Sequence, residues 1–178
     1  ALVNNLNYYR SKLKPETKMV CMVKASAYGA GSYEVAKTLQ DHRVDYLAVA
    51  VADEGSDLRK VGITSSIIIM NPELTAFKTM FEYKLEPEVY SFNLLNELIK
   101  AAEKEGVTNF PIHIKLDTGM RRIGFDATDA QEVAFAAEVC RMAGLKVSGV
   151  FTHFAVSDEV ERQQALIGKC LENVVCLQ

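Results

Sequence analysis

Short apolar runs alternate with longer stretches of helical periodicity along this chain. Residues 18–24 (KMVCMVK) form an apolar run closed by a cation, followed by a glycine-containing turn and a helical pattern over 32–40. The next apolar run, 46–51 (YLAVAV), leads into a charged amphipathic stretch at 53–60, and 66–70 (SIIIM) leads through Asn71-Pro72 to a helical pattern over 73–83. A weaker run at 85–90 carries Glu86, Pro87 and Glu88 and precedes a helical pattern over 91–105. Residues 111–116 (PIHIKL) predict a clean strand, then a loop and a helix over 127–143. The last pair is a strand at 146–153 (KVSGVFTH) and a helix at 162–177. β-rich runs separated by helices are the signature of βαβ crossovers and a parallel sheet.

About six such units follow an extra N-terminal helix. A doubly wound sheet and an incomplete (β/α)8 barrel both produce this pattern. Two features favour the barrel. No GxGxxG turn follows the first strand, and Lys24, Lys115 and His153 fall where strands are expected to end, the edge at which barrels gather their chemistry. Six strands do not close such a barrel, and the chain stops within helical pattern with no capping glycine. The expectation is therefore an α/β TIM-type barrel domain over 1–178, truncated at its C-terminal side. The first residue is Ala1, so an earlier start of the polypeptide is expected too.

Composition narrows the partners. With 49% apolar residues the chain is globular rather than disordered. The balance of 20 Lys+Arg against 23 Asp+Glu, without basic runs, argues against nucleic acid as the main partner. Its apolar runs are far shorter than the roughly 20 residues of a membrane helix. Cys21, Cys140, Cys170 and Cys176 form no CxxC pair, so buried reduced thiols are expected rather than a zinc site or disulfides. No metal is expected.

Lys24 closes an apolar strand beside small residues. Partial desolvation there suits Schiff-base chemistry, although a lysine snorkelling from a strand end is the plainer reading of that position alone. His113 alternates with Lys115 and shares its inward face, as a packing residue; His42 is expected to be exposed. Glu86 and Glu88 are expected to be solvated charges. Asp117, Thr118, Gly119 and Gly124 read as loop geometry, and Glu54 as a helix start favoured by the dipole.

Three blocks, taken together, change the odds. Residues 23–31 (VKASAYGAG) closely resemble the pyridoxal-phosphate attachment motif VKANAYGHG of alanine racemases, with Ser26 and Ala30 as departures. Residues 115–125 (KLDTGMRRIGF) resemble the family's KxDTGMxRxG segment, and 149–155 (GVFTHFA) its THFA segment. Glu54, Gly55, Leu58 and Arg59 resemble its EGxxLR helix start. The blocks stand in the family's order and cover essentially the whole chain. The resemblance is to the N-terminal barrel domain of alanine racemase, a fold-type III pyridoxal-phosphate enzyme. The opening and residues 27–40 also resemble racemase domains fused behind a muramoyl-peptide ligase in some bacteria.

What the resemblance implies is specific. Lys24 forms the internal aldimine with pyridoxal 5'-phosphate and serves as base for one enantiomer. Tyr28 donates its hydroxyl to the cofactor phosphate. Arg122 reaches the pyridine-ring hydroxyl and the substrate carboxylate region, where a permanent planar cation is apt. His153 lies against the cofactor ring. Lys115 occupies a position that is N-carboxylated in many racemases, its carbamate holding the neighbouring arginine. Without some anion there (carbamate, chloride or a carboxylate) Lys115 and Arg122 would repel each other.

The implied reaction is interconversion of L- and D-alanine for peptidoglycan supply in a cytoplasmic bacterial homodimer. A tyrosine from the partner subunit's C-terminal β-domain, outside this chain, is the second base, so residues 1–178 alone are expected to be inactive. A pyridoxal-phosphate homeostasis protein of the same fold, or a racemase for another small amino acid such as serine, is the alternative. The Lys115–Gly124 block argues against the first of these.

Overall fold

The computed structural model describes residues 1–165 and Gly168. The chain divides into two compact units, Ala1–Pro87 and Glu88–Gln178.

In the first unit helix α1 (Leu2–Arg10) precedes a parallel array of strands β1 (Val20–Met22), β2 (Tyr46–Val49) and β3 (Ser66–Ile69), which the first residues of β4 (Leu85–Val89) extend. The turn α2 (Lys24–Tyr28) and helices α3 (Ser32–Asp41), α4 (Ala52–Lys60) and α5 (Phe77–Tyr83) make the crossovers; the 3-10 turn η1 (Leu74–Ala76) leads into α5. Register runs Val20 opposite Tyr46, Tyr46 opposite Ser66 and Ile67 opposite Leu85. Leu47, Ala48 and Val49 are buried in succession. Both faces of β2 are therefore covered, which is why these strands read as continuous apolar runs rather than alternating ones.

Arg59 secures the far end of this unit. Its Nη1 donates to the Ile63 carbonyl at 2.9 Å and the Ser65 carbonyl at 2.6 Å, and its Nε to that of Tyr83 at 3.0 Å. One planar fork thereby satisfies carbonyls on two loops. Gly55 lets α4 approach closely, since a Cβ there would lie 3.0 Å from Leu85 Cδ1.

In the second unit the last residues of β4 pair in parallel with β5 (Pro111–Asp117), Glu88 standing opposite His113. Strand β7 (Lys146–Thr152) pairs with β5 over its length, with a bulge between Ile112 and His113. Helices α6 (Phe92–Glu105) and α7 (Ala130–Met142) carry the crossovers. In α6, Leu94, Leu95, Leu98 and Ala102 form the buried stripe; Ser91 caps its start by accepting from the Leu94 N–H at 3.3 Å, and Gly106 ends it at φ 66. Asp129 caps α7 in the same way through the Gln131 and Glu132 amides.

The strands and helices fall where the apolar pattern placed them, within four residues at either end, with three corrections. A two-residue strand β6 (Phe125–Asp126), too short to show a period, pairs with the end of β5. Glu86 and Glu88 are buried, not solvated. His42 is half-buried at the end of α3, its Nδ1 2.8 Å from the Thr38 carbonyl. Helix is present at 160–165, while the rest of the expected final helix, with Cys170 and Cys176, lies outside the described residues apart from Gly168. Cys140 is buried and its thiol is pushed up to about 11 by desolvation; Cys21 is half-buried. Among the described residues no helix is long and apolar enough to cross a membrane.

Replacing Arg59 by Ala should destabilise the protein by about 3 kcal/mol, the order expected for losing charged hydrogen bonds to buried carbonyls. Lys at this position should recover less than half of that, because a point charge reaches one carbonyl at a time. The midpoint of urea unfolding reads both.

Candidate active site

The chemistry-bearing residues fall into two groups, one in each unit. In the first, Val23 is buried and its N–H donates to the Ala48 carbonyl at 2.8 Å, so the strand end is fixed up to the residue before Lys24. The backbone then turns left-handed: Ala25, Ser26, Ala27 and Tyr28 have φ of 51, 53, 50 and 56. Each such residue costs on the order of 1–2 kcal/mol, because its Cβ crowds the following carbonyl. Gly29 at φ 90 and Gly31 at φ 94 let the chain leave the turn, and both amides donate back to the Ser26 carbonyl at 3.0 Å.

Glu54 holds this strained turn. One carboxylate oxygen accepts the Ala25 N–H at 2.7 Å and the other accepts the Ala50 N–H, also at 2.7 Å. A single side chain from the first turn of α4 thus ties the Lys24 turn to the end of β2. Lys24 itself is half-buried, and Tyr28 is 69% exposed. Backbone strain of this kind persists only where the surrounding structure over-determines it, and here Glu54 does so.

In the second unit Lys115 is enclosed within β5, two residues before the strand's end, rather than at its mouth. His113 shares its face and is buried, packed so tightly on β7 that a Cβ at Gly149 would lie 2.8 Å from His113 Nδ1. The loop after β5 is built by Asp117, whose Oδ1 accepts from the Gly119 N–H at 2.8 Å and the Arg121 N–H at 3.0 Å. Thr118 Oγ1 lies 2.9 Å from Thr152 Oγ1, which donates to the Leu116 carbonyl. Gly124, at φ 134, brings the loop back against its own strand; a Cβ there would sit 2.6 Å from the Asp117 nitrogen. These residues are loop geometry, as their types suggested. Their effect is to bring Lys115, Asp117, Met120, Arg122 and His153 around one small cavity. Arg122 and His153 are exposed there.

Glu88 faces this group from β4. It is 0% exposed, and neither of its carboxylate oxygens has a hydrogen-bond partner among the described residues. Lys115 Nζ stands 3.6 Å from Oε1, an ion pair too long for a hydrogen bond. Burial pushes the Glu88 carboxyl up to about 7, against the opposing pull of Lys115 and Arg122. The Lys115 ammonium also lies 5.3 Å from the centre of the Phe151 ring.

Comparison with known proteins now bears on both groups. A family model described as "Alanine racemase, N-terminal domain" matches residues 1–175. The chain belongs to the alanine racemase N-terminal domain family. Pyridoxal 5'-phosphate is the cofactor of that family. Alanine racemase 2 of Caldanaerobacter subterraneus subsp. tengcongensis is 35% identical over 166 residues, 93% of this chain and 42% of that protein. The alanine racemase of Methanococcus maripaludis is 37% identical over 164 residues, 91% of this chain and 43% of that protein. The structure of Clostridium difficile 630 alanine racemase in complex with cycloserine superposes with a TM-score of 0.88 at 34% identity, covering 99% of this chain and 50% of that one. The fold is accordingly the parallel α/β arrangement of the alanine racemase barrel domain, and this chain spans less than half the length of the curated relatives it matches.

Two residues escaped the sequence reading. The sequence marks Glu54 as a dipole-favouring helix start, and it does lie in the first turn of α4, but it also makes a pair of backbone hydrogen bonds that the sequence does not show. The signal was its place beside Gly55 in the EGxxLR block. Glu88 reads as solvated from sequence because it sits among Glu86, Pro87 and Val89, a poor strand by composition, whereas it is buried. Its alternation with Glu86 along β4 was the available signal. Among the described residues no cluster of His, Cys, Asp or Glu could hold a metal.

Two outcomes follow from this geometry. Glu54→Ala should speed amide hydrogen exchange at Ala25 and Ala50 and destabilise the protein by about 2–3 kcal/mol, through two lost charged hydrogen bonds. Glu88 contributes one pH dependence of stability. Its folded pKa lies above the ordinary 4.5, so the native state holds the extra proton between about 4.5 and 7, and stability falls as pH rises through that window. Denaturant titrations from pH 4 to 8 should show this slope in the wild type and a flatter one in Glu88→Gln.

Proposed function

We propose that the protein carrying this chain interconverts L- and D-alanine with pyridoxal phosphate held by Lys24, Tyr28, Arg122 and His153. The strained, Glu54-pinned turn at Lys24 is the observation that carries the reading. It fixes the backbone from which an amine projects, half-buried, beside small residues. The donor set suits the cofactor: a primary amine for its aldehyde, a phenol for its phosphate, and a guanidinium and an imidazole for its ring. When bound, pyridoxal phosphate supplies the electron sink that makes the alpha proton of an amino acid labile.

The chain's own residues then divide the work. Lys24, once its amine is free, takes or returns that proton on one face of the alpha carbon. The rigid turn limits where the amine can reach, which is the value of holding four residues in a costly conformation. Tyr28, exposed at the end of the turn, donates its hydroxyl to the phosphate. Arg122 keeps a permanent positive charge at the ring hydroxyl and substrate carboxylate, and His153 presents an imidazole to the ring. The proton on the opposite face requires a second base, a tyrosine contributed by a partner subunit in a homodimer. The reading places the enzyme in the bacterial cytoplasm, supplying D-alanine to peptidoglycan, and leaves residues 1–178 inactive alone.

Reduction of the cofactor-loaded whole protein with borohydride, followed by peptide mass mapping, should find the adduct on Lys24. Lys24→Ala should abolish the adduct and lower alanine racemisation by at least about a thousandfold. A folded protein with its adduct elsewhere, or with none, overturns the assignment.

A further inference from the structure

Arg122 and His153 line one small cavity from different elements, the loop after β5 and the end of β7. One peptide unit, Leu116–Asp117 at the end of β5, ties these elements together. On one side it carries the loop. Asp117 Oδ1 accepts the Gly119 and Arg121 amides, and Gly124 packs so closely that a Cβ there would lie 2.6 Å from the Asp117 nitrogen and 2.7 Å from the Leu116 carbonyl carbon. Arg122 stands between these two fastenings. On the other side the same unit carries β7. Thr152, opposite Leu116 in register and immediately before His153, donates its hydroxyl to the Leu116 carbonyl at 2.9 Å. Leu116 and Thr152 are the last pair of the β5–β7 ladder, so this is the tie beyond which the two strands part.

A threonine hydroxyl has one proton to give. Thr152 gives its proton to a carbonyl, which only accepts, so the 2.9 Å contact between the two hydroxyls is donated by Thr118. The chain from Thr118 to Thr152 to Leu116 therefore has a single direction, in which each bond strengthens the next. Thr118 is 6% exposed, so losing its acceptor would leave a buried hydroxyl unpaired. We infer that this hydroxyl chain sets the spacing of Arg122 and His153, so that the guanidinium and the imidazole meet the cofactor ring as one unit. The inference rests on the reading of both as cofactor-site residues. Thr118 and Thr152 are positioning residues, since both of their protons are spent within the protein.

The first readout needs no cofactor. In the whole protein freed of pyridoxal phosphate, Thr118→Val should shift the NMR resonances of the His153 ring, and Thr152→Val those of the Arg122 guanidinium. Valine keeps the branched shape and removes only the hydroxyl. The double variant should shift them no further than Thr152→Val alone, because members of one chain do not act additively. The second readout is equilibrium affinity for pyridoxal phosphate, which should fall about 10-fold in either variant, the scale of one weakened charge-assisted hydrogen bond. The reduced adduct should remain on Lys24. Thr152→Ser, which keeps the hydroxyl, should recover most of both effects. Shifts confined to the substituted residue's own element overturn the inference, as does a Thr152→Ser protein that behaves like Thr152→Val. Unchanged cofactor affinity in variants whose resonances do shift also overturns it. If Thr152→Val does not fold, Thr118→Val and Thr152→Ser decide. Failure of the cofactor-site reading would show separately, as unchanged affinity in Arg122→Ala and His153→Ala, and the resonance shifts would then decide alone.

Discussion

The Glu54 carboxylate is the interaction on which the Lys24 region depends. A left-handed run of four non-glycine residues does not persist by local preference, since each member is disfavoured. It persists because the first amide of the run is captured by a charge whose other oxygen holds the end of the next strand. The result is a lysine whose position is set by three elements together: β1 before it, β2 beside it and α4 through Glu54. Gly55, immediately after Glu54, lets that helix come close enough for the carboxylate to reach. Arg59, one turn further on, fastens the other end of α4 to its loops. The EGxxLR block is therefore largely a bracket around the Lys24 turn.

The second unit solves a different problem, that of keeping charge inside a strand layer. Glu88, His113 and Lys115 share a face of β4 and β5 because parallel register places Glu88 opposite His113 and alternation carries the face on to Lys115. Such a layer is stable only if its charges compensate one another. The loop from Asp117 to Gly124 then bends back onto its own strand, closed by the Asp117 carboxylate and by the absence of a side chain at Gly124. That return brings Arg122 to the same cavity as Lys115, although neither residue's type implies the other's position.

The elements that could be read directly were those with a strong pattern. Continuous apolar runs at β2 and β3 and the leucine stripe of α6 need only local preference and burial, so their places follow from residue order. The glycines and Asp117 were legible as loop formers because few other residues suit those conformations. The misreadings share one cause. Glu86 and Glu88 look like surface because charged residues usually are, and for Glu88 only the neighbouring strand shows the cation that it faces. Glu54 reads as an ordinary helix start because its two acceptors' partners, Ala25 and Ala50, lie on other elements.

The sequence by itself determined the parallel α/β pattern and the family to which the chain belongs, and it singled out Lys24, Tyr28, Lys115, Arg122 and His153 as candidate site residues. These depend on residue type and spacing, which are properties of the linear chain. Tertiary structure alone decided that Lys115 is enclosed beside a buried carboxylate, that Lys24 stands on a strained turn, and which acid restrains it. Those facts turn on what neighbours a side chain across a strand or helix gap. Electrostatic energy is set by such distances and by burial, and neither is written in the order of the residues.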